Sequence, residues 1–188
     1  MKSAPGIHFS VTARWMFVLA AVVIAAQTVR AQVTWFANMG AQSGDKARQA
    51  MAFLPSELWI LAGDSITWTS YADEIHTVTF LKQTTTGAST AGTTRPANGT
   101  DGSTGCAGGT QGGTPVTTSG LPFAGTSCVN SGPFVTGGTY TVTFPTAGNY
   151  KLVCLVHRDM TGVVHVLDVR GALPLPHNQR FYDDLAAA

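Results

Sequence analysis

Charge is scarce in this 188-residue chain, where Asp, Glu, Lys and Arg make up 11% of the residues against roughly a quarter in an ordinary soluble domain. Between Lys82 and Lys151 only Arg95 and Asp101 are charged. No basic run or stripe exists for phosphates to meet, which excludes a nucleic-acid partner. Long apolar runs are also lacking. The most extended, WMFVLAAVVIAA at 15–26, falls short of the roughly 20 residues a bilayer span needs. No convincing long helical pattern and no internal repeat appear. Cysteine is sparse and odd in number, at Cys106, Cys128 and Cys154, so every pairing leaves one thiol over.

The first residues read as an addressing segment rather than as part of the fold. Lys2, His8 and Arg14 give a basic start, the apolar run follows, and VRA places small residues at Val29 and Ala31. This is the pattern of a secretory signal over 1–31, with a retained membrane anchor as the alternative. Cleavage after Ala31 leaves a chain that starts at Gln32, with eight basic and ten acidic residues and a net charge of −2. It carries no stable membrane span. Export to the periplasm or the extracellular space permits disulfides. Of the three pairings, the simplest joins Cys106 to Cys128 and leaves Cys154 as a thiolate. Such a thiol is a liability in an oxidising compartment unless it is buried or bound.

From Gln32 onward short strand signals alternate with turns. Residues 33–39 are rich in β-formers. Residues 47–55, ARQAMAFLP, suit either a short helix or an extended edge segment ending at Pro55, and the edge segment is the reading adopted. Residues 57–61, 62–64 and 65–69 read as strand, tight turn and strand. In 75–81, IHTVTFL, alternation predicts a strand with one face in a core. The tract 83–138 is mostly Gly, Thr and Ser, too poor in apolar residues to offset its ordering entropy. It reads as a long insertion, clipped by the Cys106–Cys128 bond, whose closure contributes on the order of 3 kcal/mol. The NGT sequon at 98–100 reads as chance in a Thr-rich tract. Strands resume at 139–144, 150–154 and 161–169, and 171–188 is a Pro-bearing arm whose FYDDLAAA end can start a short helix. The domain therefore runs over 32–170, and its class is an all-β sandwich.

CLVHRDM, residues 154–160, places a thiol, an imidazole and a thioether at the end of one strand. His76 is the best remaining candidate for a further ligand. Two His nitrogens, a thiolate and a thioether form the blue-copper set, a trigonal His₂Cys site with a weak axial Met. Thiolate and thioether favour Cu(I) and imidazole suits Cu(II), so one geometry can serve both states. Zinc is the rival, but Met is a poor zinc ligand and a structural zinc site calls for four Cys or His ligands. C-x-x-H alone is a weak signal; the Met three residues on and the strand-borne His76 strengthen it.

The pattern GDSITW…DEIHTVTF…YTVTFPTAGNYKLVCLVHRDMTGVVHV resembles the plastocyanin–amicyanin group of the cupredoxins, over roughly 53–82 and 139–169. Gly63-Asp64 before an apolar strand, the strand-borne His76 and the AGNYKLVC strand carry the likeness. The C-x-x-H-x-x-M loop is similar to amicyanin's short version. The resemblance implies a Greek-key sandwich of about eight strands with copper near one end, in a one-electron carrier that is not an enzyme. It implies that Cys154 makes the short Cu–S bond, His157 presents its ring edge outward, His76 is the more buried imidazole and Met160 tunes the potential. Phe36, Phe80 and Val156 are candidates for an apolar shell, and core packing is the ordinary reading of all three. Two positions depart from the family pattern: Thr77 stands where an Asn commonly ties the ligand loops, and Val156 where a Pro is frequent.

His165 reads as a face-alternating strand residue and His177 as solvated. Trp59 and Trp68 read as core or rim. The expected function is an exported, monomeric carrier shuttling single electrons between redox proteins. A copper-handling protein without electron transfer is the alternative, and an adhesion or stalk module is a third reading prompted by the Thr/Gly tract.

Overall fold

A computed structural model describes residues 30–81 and 121–188, apart from Ser127 and Phe134. The chain divides into two units, Met1–Ala31 and Gln32–Ala188, and the fold below is that of the second. The signal, Cys106 and most of the Gly/Thr tract lie outside the described residues.

Among the described residues, ten strands form two five-stranded sheets. The first holds β2 (Gln49–Leu54), β1 (Thr34–Gln42), β4 (Ser65–Tyr71), β8 (Thr139–Thr143) and β6 (Leu121–Pro122), in that order. The second holds β3 (Glu57–Leu61), β10 (Thr161–Leu167), β9 (Gly148–Val153), β5 (Thr79–Phe80) and β7 (Val129–Asn130). Both sheets are mixed: β1 runs parallel to β4 and β3 parallel to β10, while β4–β8 and β9–β10 are antiparallel. The segment at 47–55 is indeed an edge strand, β2.

The period-2 alternation of a strand decides which side chains meet. Along β4, Ile66 and Trp68 point inward and are fully buried, opposite the buried Tyr140 and Val142 of β8. On the other face Ser65 and Thr67 pair through their hydroxyls with Thr143 and Thr141, each at 2.8 Å. Between the sheets Phe80, Phe123, Phe144 and Tyr150 pack at centroid distances of 5.2–6.3 Å. The buried carboxylate of Asp64 fastens three strands. It accepts hydrogen bonds from the Val33 and Leu61 amides and from the Trp35 indole, at 3.0–3.1 Å.

Two expectations need correction. The strand expected over 75–81 is only the two residues of β5, with His76 as an isolated bridge, and 76–80 are buried on both faces. The reason is that the amides of Thr77 and Val78 bond to side chains, Cys154 Sγ and Ser131 Oγ, instead of a ladder. The insertion is shorter than 83–138, because β6 and β7 belong to the sheets and Phe123 and Val129 to the core. These few apolar residues are diluted by the Gly/Thr composition around them.

The C-terminal arm does not leave the domain. Helix α1 (Gln179–Ala187) is capped by Asn178, whose side chain accepts from the Phe181 amide. Gln179 closes two hydrogen bonds on the backbone of Phe36, accepting from its N–H at 2.8 Å and donating to its C=O at 3.0 Å. Tyr182 is fully buried, packs edge-on against Trp35, and its hydroxyl bonds both backbone groups of Trp59 on the edge strand β3. One helix thus covers backbone groups that neither sheet pairs.

Candidate metal centre

Two segments far apart in sequence supply the cluster. Strand β9 ends at Val153, and the loop after it turns tightly: the Cys154 amide donates to the Met160 carbonyl at 3.0 Å, and the Met160 amide to the His157 carbonyl at 3.4 Å. This brings Cys154 and His157 together and ties the backbone of Met160 to both. His76 arrives from the segment between β4 and β5. The ligand-type atoms of His76, Cys154 and His157 all lie within 4.8 Å of one another. His76 Nδ1 is 3.0 Å from His157 Nδ1, and Cys154 Sγ is 3.7 Å from His157 Nδ1.

The two segments are tied by Thr77. Its backbone amide donates to Cys154 Sγ at 3.4 Å, and its hydroxyl accepts from the Leu155 amide at 2.8 Å. The same hydroxyl lies 3.1 Å from Thr79 Oγ1, which donates to Asn130 Oδ1. Thr79's proton is therefore committed, so Thr77 donates along the chain and every hydroxyl in it is satisfied. Thr77 thus does the tying expected of the Asn that commonly follows the first ligand His.

The cluster is dry on one side and open on the other. His76 is fully buried and Cys154 and Met160 nearly so, while the His157 side chain keeps 20% exposure. Burial first, then the neighbouring His157, pulls His76 down from 6.5 to about 4, against an opposing pull from Glu74. His76 is therefore a neutral imidazole with a lone pair to offer at ordinary pH. Its other nitrogen, Nε2, is buried and has no hydrogen-bond partner among the described residues. Glu74 lies 3.7 Å from His157 Nε2, at the exposed edge.

A soft buried thiol beside two imidazoles suits copper, and the Met160 side chain of the same loop is buried. Among the described residues this is the single group of three or more His, Cys, Asp or Glu side chains placed to hold an ion. Of the apolar residues considered as a shell, Phe36 and Val156 are exposed at 55% and 48%. Phe80 is buried among Trp68, Phe123 and Phe144, so its part is core packing. His165 stacks on Trp59 at 4.1 Å and bonds Asn149 and Glu57. His177 packs against Phe181 and Tyr182 rather than standing in solvent. Neither belongs to the cluster. Sequence reading missed Gly40, whose backbone touches the His76 ring; a glycine inside a strand pattern is the signal that could have found it.

An all-β sandwich with a His–Cys–His cluster defines a copper protein of the cupredoxin class. The profile of copper binding proteins of the plastocyanin/azurin family matches residues 40–167. The chain belongs to that family, and its cofactor is one copper ion. Among solved structures, a methionine-to-glutamine mutant of amicyanin in its Cu(I) form is similar at 17% identity and TM-score 0.42, over 71% of this chain and 82% of that one. A purple cupredoxin from Nitrosopumilus maritimus is similar at 19% identity and TM-score 0.41, over 71% of this chain and 99% of that one. No curated protein matches the chain.

Proposed function

We propose that this protein is an exported carrier of single electrons, holding its copper ion with His76, Cys154 and His157 and with Met160 as a fourth, weak ligand. The observation that carries the reading is the convergence of two imidazoles and one thiol, 3.0 and 3.7 Å apart, around buried Cys154. When bound, copper supplies a couple that gains or loses one electron without proton bookkeeping.

The chain's own residues supply the rest. The Thr77 amide, aimed at Cys154 Sγ, orients the sulfur from outside the ligand set. Buried His76 holds the inner side of the site. His157 reaches the surface and is the shortest way out for an electron. It is flanked in sequence by exposed Val156, and His76 by exposed Ile75, a surface to which a redox protein can dock. The match to the plastocyanin/azurin copper-binding family favours a carrier over an enzyme. The signal pattern at 1–31 supports export. Among the described residues, no helix is long and apolar enough to cross a membrane. Cys128 is disulfide-bonded, while Cys154 is buried and takes no part in a disulfide. This favours the Cys106–Cys128 pairing, which export permits. A monomer with separate donor and acceptor proteins completes the reading.

The test is a visible spectrum and a voltammogram of copper-loaded protein. An intense thiolate-to-copper band with a reversible one-electron wave is expected, and Cys154→Ser should abolish the band. A colourless Cu(II) form, or tight copper uptake without a reversible couple, rejects the carrier.

A further inference from the structure

We infer that Gly40 is a positioning residue for His76: the bulge it makes in β1 is the wall that sets where the imidazole stands. The inference rests on the reading of His76 as a copper ligand. Both ladders of β1, to β2 and to β4, shift register between Met39 and Ala41. Against β4, Gly40 is the extra residue, at φ +69, a left-handed conformation that glycine adopts freely; against β2 the extra residue lies on β2 itself. A Cβ added there would stand 2.5 Å from His76 Nε2 and 2.9 Å from Cδ2, and 3.1 Å from the Ala72 Cβ. The ring edge therefore occupies the space that any other residue's side chain would need.

This matters because no hydrogen bond among the described residues fixes that side of the ring. His76 Nε2 makes no hydrogen bond among the described residues, so no acceptor anchors the imidazole about its last torsion. Its opposite nitrogen faces His157 and Cys154. The ring is held by contact, with the bare Gly40 backbone on one side and the cluster on the other. A methyl group at residue 40 must push the imidazole toward the cluster or turn it. Either displaces Nδ1, the atom offered to the metal.

Gly63 supplies a control for the backbone conformation. It too has a positive φ, +95, but a Cβ there meets nothing within 4 Å. Gly63→Ala therefore carries the left-handed strain without the collision. Gly63→Ala should lose stability and leave the copper spectrum unchanged. Gly40→Ala should lose more stability than Gly63→Ala, change the visible and EPR signature, and weaken copper affinity about tenfold or more. In a metal-free His76→Ala background the excess cost of Gly40→Ala over Gly63→Ala should vanish, because the ring it struck is gone. If Gly40→Ala does not fold, recovery of folding in Gly40→Ala/His76→Ala makes the same point. The inference is overturned if Gly40→Ala keeps the wild-type spectrum and affinity at the same stability cost as Gly63→Ala. It is also overturned if the excess cost persists without His76, or if the double variant stays unfolded while Gly63→Ala folds. Wild-type protein that takes up no copper, yet shows the same coupling, sinks the ligand reading and leaves the Gly40–His76 contact standing.

Discussion

The backbone amide of Thr77 points at Sγ of Cys154 across 3.4 Å, joining residues 77 positions apart. Thr77, next to the inner His and just before β5, thereby binds that His to the ligand loop: its amide holds the sulfur and its hydroxyl holds the Leu155 amide. Thr77→Val keeps the shape and the amide but removes the acceptor, leaving a buried N–H unpaired. Loss of about 1–3 kcal/mol is expected in denaturant melts, with Thr77→Ser retaining most of the stability. An unchanged midpoint in Thr77→Val would show the hydroxyl to be incidental.

Met160 is fixed by its backbone to both Cys154 and His157 and its side chain is buried. Replacing the thioether by a hydrocarbon of similar volume removes a weak fourth donor and leaves a drier site, which costs the more highly charged Cu(II) more than Cu(I), while the packing stays nearly intact. Met160→Leu should stay blue and show a higher reduction potential. Voltammetry of the two proteins side by side decides it, and an unchanged potential removes Met160 from the ligand set.

The sequence and the structure agree where one local signal suffices. CLVHRDM names three candidate ligands within seven residues, and β3, β4, β8 and β10 follow from alternation and turn chemistry. Disagreement comes where partners are distant. The 75–81 segment alternates like a strand, but its amides answer to Cys154 and Ser131, and no local pattern encodes them. Phe123 and Val129 sit in a tract whose average composition conceals them. Tyr182 lies in a Pro-bearing arm, and its burial depends on Trp35 and Trp59, more than a hundred positions upstream. Gly40 reads as an ordinary glycine until His76 is placed against it.

His76 gives the metal-free protein a pH dependence. Its folded value is about 4 against an ordinary 6.5, so between these the unfolded chain holds the extra proton. Stability must therefore fall as pH drops from 6.5 toward 4, by about 3 kcal/mol if this group acts alone. Urea midpoints of metal-free protein across that window should show the slope. His76→Gln should flatten it, and a slope that survives in His76→Gln assigns the effect to other groups.

Asp64 carries three donors on a fully buried carboxylate. Asp64→Ala removes the charge and strands two amides and an indole N–H in the core. About 3–5 kcal/mol should be lost, by analogy with breaking a buried charged pair. The residue stands apart from the metal cluster. Any variant protein that remains folded should therefore keep the wild-type spectrum, and a changed spectrum would tie the strand junction to the copper geometry.

Tyr182 tests whether the C-terminal helix belongs to the fold. Its ring fills space against Trp35, and its hydroxyl both accepts from the Trp59 amide and donates to the Trp59 carbonyl. Those two functions separate by substitution. Tyr182→Phe keeps the packing and leaves two backbone groups of β3 without their partner, which should cost about 1–3 kcal/mol. Tyr182→Ala also opens a cavity beside Trp35 and should cost about 3–5 kcal/mol. Neither residue touches the His–Cys–His cluster, so both variants should bind copper with the wild-type spectrum while melting earlier. Equal midpoints for Tyr182→Ala and wild type would mean that the helix rests on the sandwich without stabilising it.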